Sequence, residues 1–129
     1  MDTSHIQFNE RELKQVIFTA ALMSSIDRDE HEKEWNIIKS FGKSHWKQEY
    51  GDFEEFQRSS LAEIRTLLED DTSLFERIEM LITDFGAHYT SEQKNMVIDL
   101  LGAIMEADEV LDSDETNLFG TFLERLTGL

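Results

Sequence analysis

Apolar residues in this chain recur at intervals of three and four, and no stretch sustains the two-residue alternation of a half-buried strand. Leu13, Val16, Ile17 and Ala20 form one stripe, Leu61, Ile64, Leu67 and Leu68 a second, and Val97, Leu100, Leu101, Ile104 and Met105 a third. At 3.6 residues per turn each stripe falls on one helix face, and that face is expected to be buried. Proline, the strongest helix breaker, is absent.

The helix starts are marked as well. Asp, Asn, Ser or Thr followed three residues later by Glu or Gln can form a capping box, in which each side chain satisfies the other residue's backbone N–H. The pattern occurs at Asn9/Glu12, Asp27/Glu30, Asp52/Glu55, Ser73/Glu76, Thr90/Gln93 and Asp112/Glu115. Together with the stripes it predicts helices near 10–25, 28–42, 53–69, 74–86, 91–107 and 113–127. The segment 42–51 reads as a connector with a short helical turn, and Gly42 and Gly86 as left-handed C-terminal caps. The expected core holds Val16, Ile17, Ala20, Ile38, Leu100, Leu101, Ile104, Phe119 and Phe122. A chain of 129 residues buries roughly two-thirds of its unfolded surface, which suits one domain spanning 1–129.

The segments "IDRDE" (26–30) and "LDSDE" (111–115) match as apolar-Asp-x-Asp-Glu, which sets Asp27 opposite Asp112. Extended in that register, Val16 pairs with Leu101, Ile37 with Phe122, Ile38 with Leu123 and Phe41 with Leu126. The expected fold is all-α: six to seven helices in a compact bundle built from two helix hairpins related by a pseudo-twofold.

The 28 acidic residues outnumber the 12 basic ones, for a net charge of −16. That charge repels nucleic-acid phosphates and anionic membranes and favours cations or a basic protein surface as partners. The basic residues are dispersed and form no nucleic-acid patch. The absence of cysteine excludes disulfides, iron–sulfur clusters and thiol nucleophiles. No signal-peptide pattern opens the chain, and no apolar run approaches the ~20 residues of a membrane span. The expectation is a soluble, cytoplasmic protein with no direct membrane insertion. Oligomeric state is not legible in the sequence.

"MEADEVLDSDETNLF" (105–119) carries Glu106, Asp108, Glu109, Asp112, Asp114 and Glu115 with no basic residue among them. Asp112 and Glu115 fit a capping box at a helix N-terminus, where acids are favoured. Glu106, Asp108 and Glu109 fall at the preceding helix's C-terminal end, where each acid costs on the order of 0.3–1 kcal/mol. A divalent cation would offset that cost, and Ca2+ or Mg2+ suits an all-oxygen donor set, with Zn2+ and Mn2+ as alternatives. All six acids are therefore candidate metal ligands. With Asp27 set opposite Asp112, the first turn has the neutral Ala21, Met23 and Ser24 at the places of Glu106, Asp108 and Glu109, so a site would belong to the second turn.

Standard motifs fail. An EF-hand loop begun at Asp112 meets Asn117 at its glycine position and Leu123 at its final glutamate. "HEKEW" (31–35) has Trp35 where the zinc-protease helix needs its second histidine, leaving His31 as a surface residue. His5, His45 and His88 are scattered, and no nucleophile elbow or glycine-rich phosphate loop is present. Phe41, Trp46, Tyr50, Phe53 and Phe56 gather around the connector. They read as a plug between the two halves, or alternatively as a partly exposed aromatic groove for a partner.

At the acidic turn the chain resembles the tellurite-resistance TerB-like domains. That family carries Ala-Asp-Gly, then an apolar residue, then one or two acids opening the next helix. Here Ala107, Asp108 and Glu109 stand at the first three places, followed by Leu111, Asp112 and Glu115. In the first half Ile26, Asp27 and Glu30 fit, with Met23 and Ser24 in place of Asp-Gly. The resemblance implies an all-α fold of about seven helices and a non-enzymatic cytoplasmic role in tellurite or general chemical-stress response, with acidic residues binding metal. The leading expectation is thus a non-enzymatic TerB-like domain with a divalent cation at the second turn. A metal-free acidic module docking a basic protein is the second, and an enzyme with a carboxylate site across the repeats the third.

Overall fold

A computed structural model of the chain describes residues 7–26, 32–107 and 113–128. It shows six α-helices: α1 (Glu10–Ser25), α2 (Glu32–His45), α3 (Phe53–Leu68), α4 (Asp71–His88), α5 (Ser91–Ala107) and α6 (Ser113–Thr127). A 3₁₀ turn, Gln48–Tyr50, lies in the connector between α2 and α3. No strand occurs among the described residues. No described helix is long and apolar enough to cross a membrane.

α1 is the axis of the bundle. Every residue from Val16 to Ser24 is buried, which is the pattern of a helix surrounded on all sides rather than one packed by a single stripe. It packs against α2, α3, α5 and α6. The remaining major contacts include α2 with α5 and α5 with α6. Exchanging α1 with α5 and α2 with α6 maps the contacts among these four helices onto themselves, as a pseudo-twofold requires.

The capping boxes set Val16 opposite Val97, where the acidic match sets it opposite Leu101. Asn9 and Glu12 close a reciprocal capping box on α1, with hydrogen bonds of 2.8 and 2.9 Å. Thr90 and Gln93 close the same box on α5, at 2.9 and 3.1 Å. Aligning the two boxes pairs Val16 with Val97, Ala20 with Leu101 and Met23 with Ile104, and all six side chains are fully buried. The two registers differ by four positions, close to one helical turn, so an apolar stripe overlays itself in either one. The short acidic match and the capping boxes select different ones.

Three expectations change. α4 is capped by Asp70 instead of Ser73: Asp70 accepts from the Thr72 N–H at 3.1 Å and from the Ser73 hydroxyl at 2.8 Å. Gly42 and Gly86 lie inside α2 and α4, not at left-handed caps. A Cβ on Gly42 would come 2.6 Å from Phe53 Cζ, so this glycine lets α3's first residue pack on α2. The described glycines with a positive φ are Gly51, at 97°, where the connector turns into α3, and Gly128, at 77°, just after α6. Phe119 is half-buried, with its ring edge toward Gly102, while the other eight expected core residues are buried.

Candidate functional site

α5 brings Glu106 to its last turn and α6 opens with Ser113, Asp114 and Glu115. Asp108, Glu109 and Asp112 lie outside the described residues, as do Asp27, Glu30 and His31. The three described candidates differ in their surroundings. Glu106 and Asp114 are exposed, whereas Glu115 is 1% exposed. Among the described residues no three His, Asp or Glu side chains converge as a metal site.

Glu115 has a counterpart that the sequence reading missed. Glu34, in the first turn of α2, is 0% exposed and stands opposite Glu115 in the register of the capping boxes. It sits in "DEHEKE" (29–34), which reads as a solvated acidic face. Its burial follows from the stripe Glu34, Ile38 and Gly42, which turns into the bundle. The legible signal was an Asp followed seven positions later by Glu, at Asp27/Glu34 and again at Asp108/Glu115. In this register Asp27, Arg28 and His31 oppose Asp108, Glu109 and Asp112 in the sequence. In this register the first turn is not the neutral copy that pairing Asp27 with Asp112 implies. A carboxylate held out of water requires hydrogen bonds or opposite charge, and this chain makes that demand at both helix starts.

Close by in the chain, at the C-terminal end of α1, the Ser24 hydroxyl is buried with no hydrogen-bond partner among the described residues. At the other end of α1, a polar network ties the helix to α4 and α5. The Tyr89 hydroxyl lies 2.9 Å from Gln15 Oε1 and 3.0 Å from the Glu12 carbonyl oxygen. Gln15 Nε2 donates to Asp84 at 2.8 Å, and Gln93 Nε2 donates to the Gln7 carbonyl at 2.8 Å. Burial, reinforced by the negative charge of Glu12, raises the Tyr89 phenol well above its ordinary range. Tyr89 is thus a neutral structural donor.

The connector aromatics close the bundle. Phe53 is buried, and the Trp46 ring sits 5.3 Å from it, 5.6 Å from Tyr50 and 5.6 Å from Phe56. Trp46 Nε1 donates to the Gly51 carbonyl at 2.8 Å, and Lys14 Nζ lies 5.8 Å from the Trp46 ring centroid. These rings are a plug, and the partly open groove lies elsewhere, between α2 and α3 around Trp35 and Leu61. His45 stacks on Phe41 at 4.7 Å, and its burial lowers its pKa.

No family model, curated protein or solved structure matches this chain.

Proposed function

We propose that this chain is a non-enzymatic helical domain of the TerB-like kind that binds a divalent cation at the turn between α5 and α6 and serves as a stress-response or scaffold component. The observation that carries the reading is Glu115, a carboxylate drawn into the protein at the end of a run of five other acids. A cation beside that run would lower the repulsion among the acids. Hard oxygen donors favour Ca2+ or Mg2+ over a softer ion, and no cysteine is available to change that preference. Glu115 would supply an inward donor, with Asp108 and Asp112 as further ones. The link to tellurite or chemical stress rests on the resemblance alone.

The test is calorimetric titration of chelator-treated protein with Ca2+, Mg2+, Mn2+ and Zn2+, beside thermal melts with each ion. A bound ion at a hundredfold excess over its Kd should stabilise the fold by about 2.7 kcal/mol. Asp108→Asn with Asp112→Asn should abolish that gain. No binding below millimolar, or unchanged binding by the double variant, rejects the reading.

A second reading is favoured by Phe75 and Met80, which are 67% and 54% exposed on α4. Glu76 and Glu79 lie between them in the helix together with Arg77, and Glu79 pairs with Arg125. Apolar anchors among acids suit a basic protein surface without metal. Binding of such a partner that survives chelation and is lost in Phe75→Ser with Met80→Ser would support it.

A further inference from the structure

α2 and α3 meet where Gly42 passes the Phe53 ring, and both helices pack on α1. Away from that contact an open groove of about 940 Å³ separates them. Trp35, Leu61 and Leu68 line it and are half-buried. Lys39, Arg58 and Arg65 line it too, and all three are exposed.

Arg11, Lys14, Arg77 and Arg125 each pair with a carboxylate. Lys39, Arg58 and Arg65 form no ion pair with a described residue, as is also true of Lys43, Lys47 and Lys94, but only these three unpaired cations line the groove. Positive charge left uncompensated beside an apolar floor is complementary to a ligand that is apolar on one face and acidic at its edges.

The dimensions select among such ligands. The lining along α3 and its C-terminal cap runs from Gln57 to Glu69, about 18 Å, or roughly three turns. That matches a helical segment rather than a compact small molecule. Glu32 and Glu69 lie at the end remote from Gly42 and Phe53, so the groove is polar along its length.

We propose that the α2–α3 groove docks an acidic amphipathic helix of a partner protein. Its apolar stripe would cover Trp35, Leu61 and Leu68, and its carboxylates would meet Lys39, Arg58 and Arg65. The net charge of −16 does not prevent this, because charges more than about 8 Å away are largely screened at physiological salt. The proposal is independent of any cation at the α5–α6 turn.

The probe is a synthetic helical peptide of about four turns, with leucines at i, i+3, i+4 and i+7 and glutamates along both flanks. It is titrated into the full chain while the backbone amide and Trp indole resonances are followed. The expected result is a Kd below about 100 µM, with shifts centred on Trp35, Leu61 and Arg65. Arg58→Glu with Arg65→Glu should weaken binding by about tenfold or more, and Arg58→Gln with Arg65→Gln should weaken it less. Both arginines are exposed, and the glutamine pair decides the matter should charge reversal disturb folding. Equal binding of a lysine-flanked peptide overturns the proposal. So do shifts that map elsewhere, unchanged affinity in both double variants, or binding of dodecanoate or anionic vesicles in place of the peptide.

Discussion

Glu34 and Glu115 hold the same position in α2 and α6: each is the third residue of its helix, and each is shut away from water, at 0% and 1% exposure. Two carboxylates at matching places are compensated by their surroundings, since an uncompensated buried charge is not tolerated. Glu34→Ala and Glu115→Ala should each lower unfolding free energy by about 3–5 kcal/mol, the cost of breaking such an arrangement from one side. Urea denaturation measures both. A loss below about 1 kcal/mol at either position would show that its carboxylate is held by nothing of consequence.

The helical glycines should respond in opposite directions. Gly42→Ala places a Cβ into the Phe53 ring and should cost about 1–3 kcal/mol through overpacking. A Cβ on Gly86 meets only open space, inside α4. Gly86→Ala should therefore stabilise by about 0.5–1 kcal/mol through the better helix propensity of alanine. Thermal melts of the two variants should move to opposite sides of the wild type. Movement in the same direction would contradict the packing at Gly42.

Ser24 offers a gain of a different kind. Its buried hydroxyl has no partner among the described residues, so the folded state carries a desolvation cost that alanine would remove. Ser24→Ala should raise stability by about 1 kcal/mol, read as a higher urea midpoint at unchanged slope. A loss of similar size would mean that the hydroxyl is engaged in solution.

Tyr89 should shape the alkaline limit of stability. Its folded-state pKa lies above the unfolded value of about 10, because burial and then Glu12 disfavour the phenolate. The folded state keeps a proton that the unfolded state gives up. The contribution is therefore intact below about pH 10 and is lost as pH rises toward the folded-state value. In the folded protein, phenolate ultraviolet absorbance should show Tyr89 ionising later than an ordinary tyrosine. The urea midpoint should fall between about pH 10 and 11, and Tyr89→Phe should flatten that fall. His45 acts in the opposite sense. Its burial-lowered pKa gives stability that is present above about pH 6.5 and is lost as pH drops through the folded-state value. Ordinary ionisation of Tyr89 in the native protein would remove the basis for the alkaline prediction.

The helical period and the capping boxes at Asn9/Glu12 and Thr90/Gln93 were determined by the sequence itself. Both depend on residues a few positions apart, and the backbone between them can adopt few conformations that satisfy both. α1, α5 and α6 accordingly span the predicted residues. Tertiary structure alone decided which of the apolar and polar faces are buried. A slip of about one turn leaves a helical face unchanged, and Val16, Val97 and Leu101 are all fully buried, so the helical period does not by itself choose a register. The same holds for the site. Glu34 reads locally as one more solvated acid, and its burial depends on α2 lying against α1 and α5, far away in sequence. Gly42 likewise reads as a helix end until the Phe53 ring, from the next helix, occupies the space a Cβ would need. Local sequence sets what each segment prefers, but which face meets the interior is settled by contacts between segments, and those contacts have no local signature.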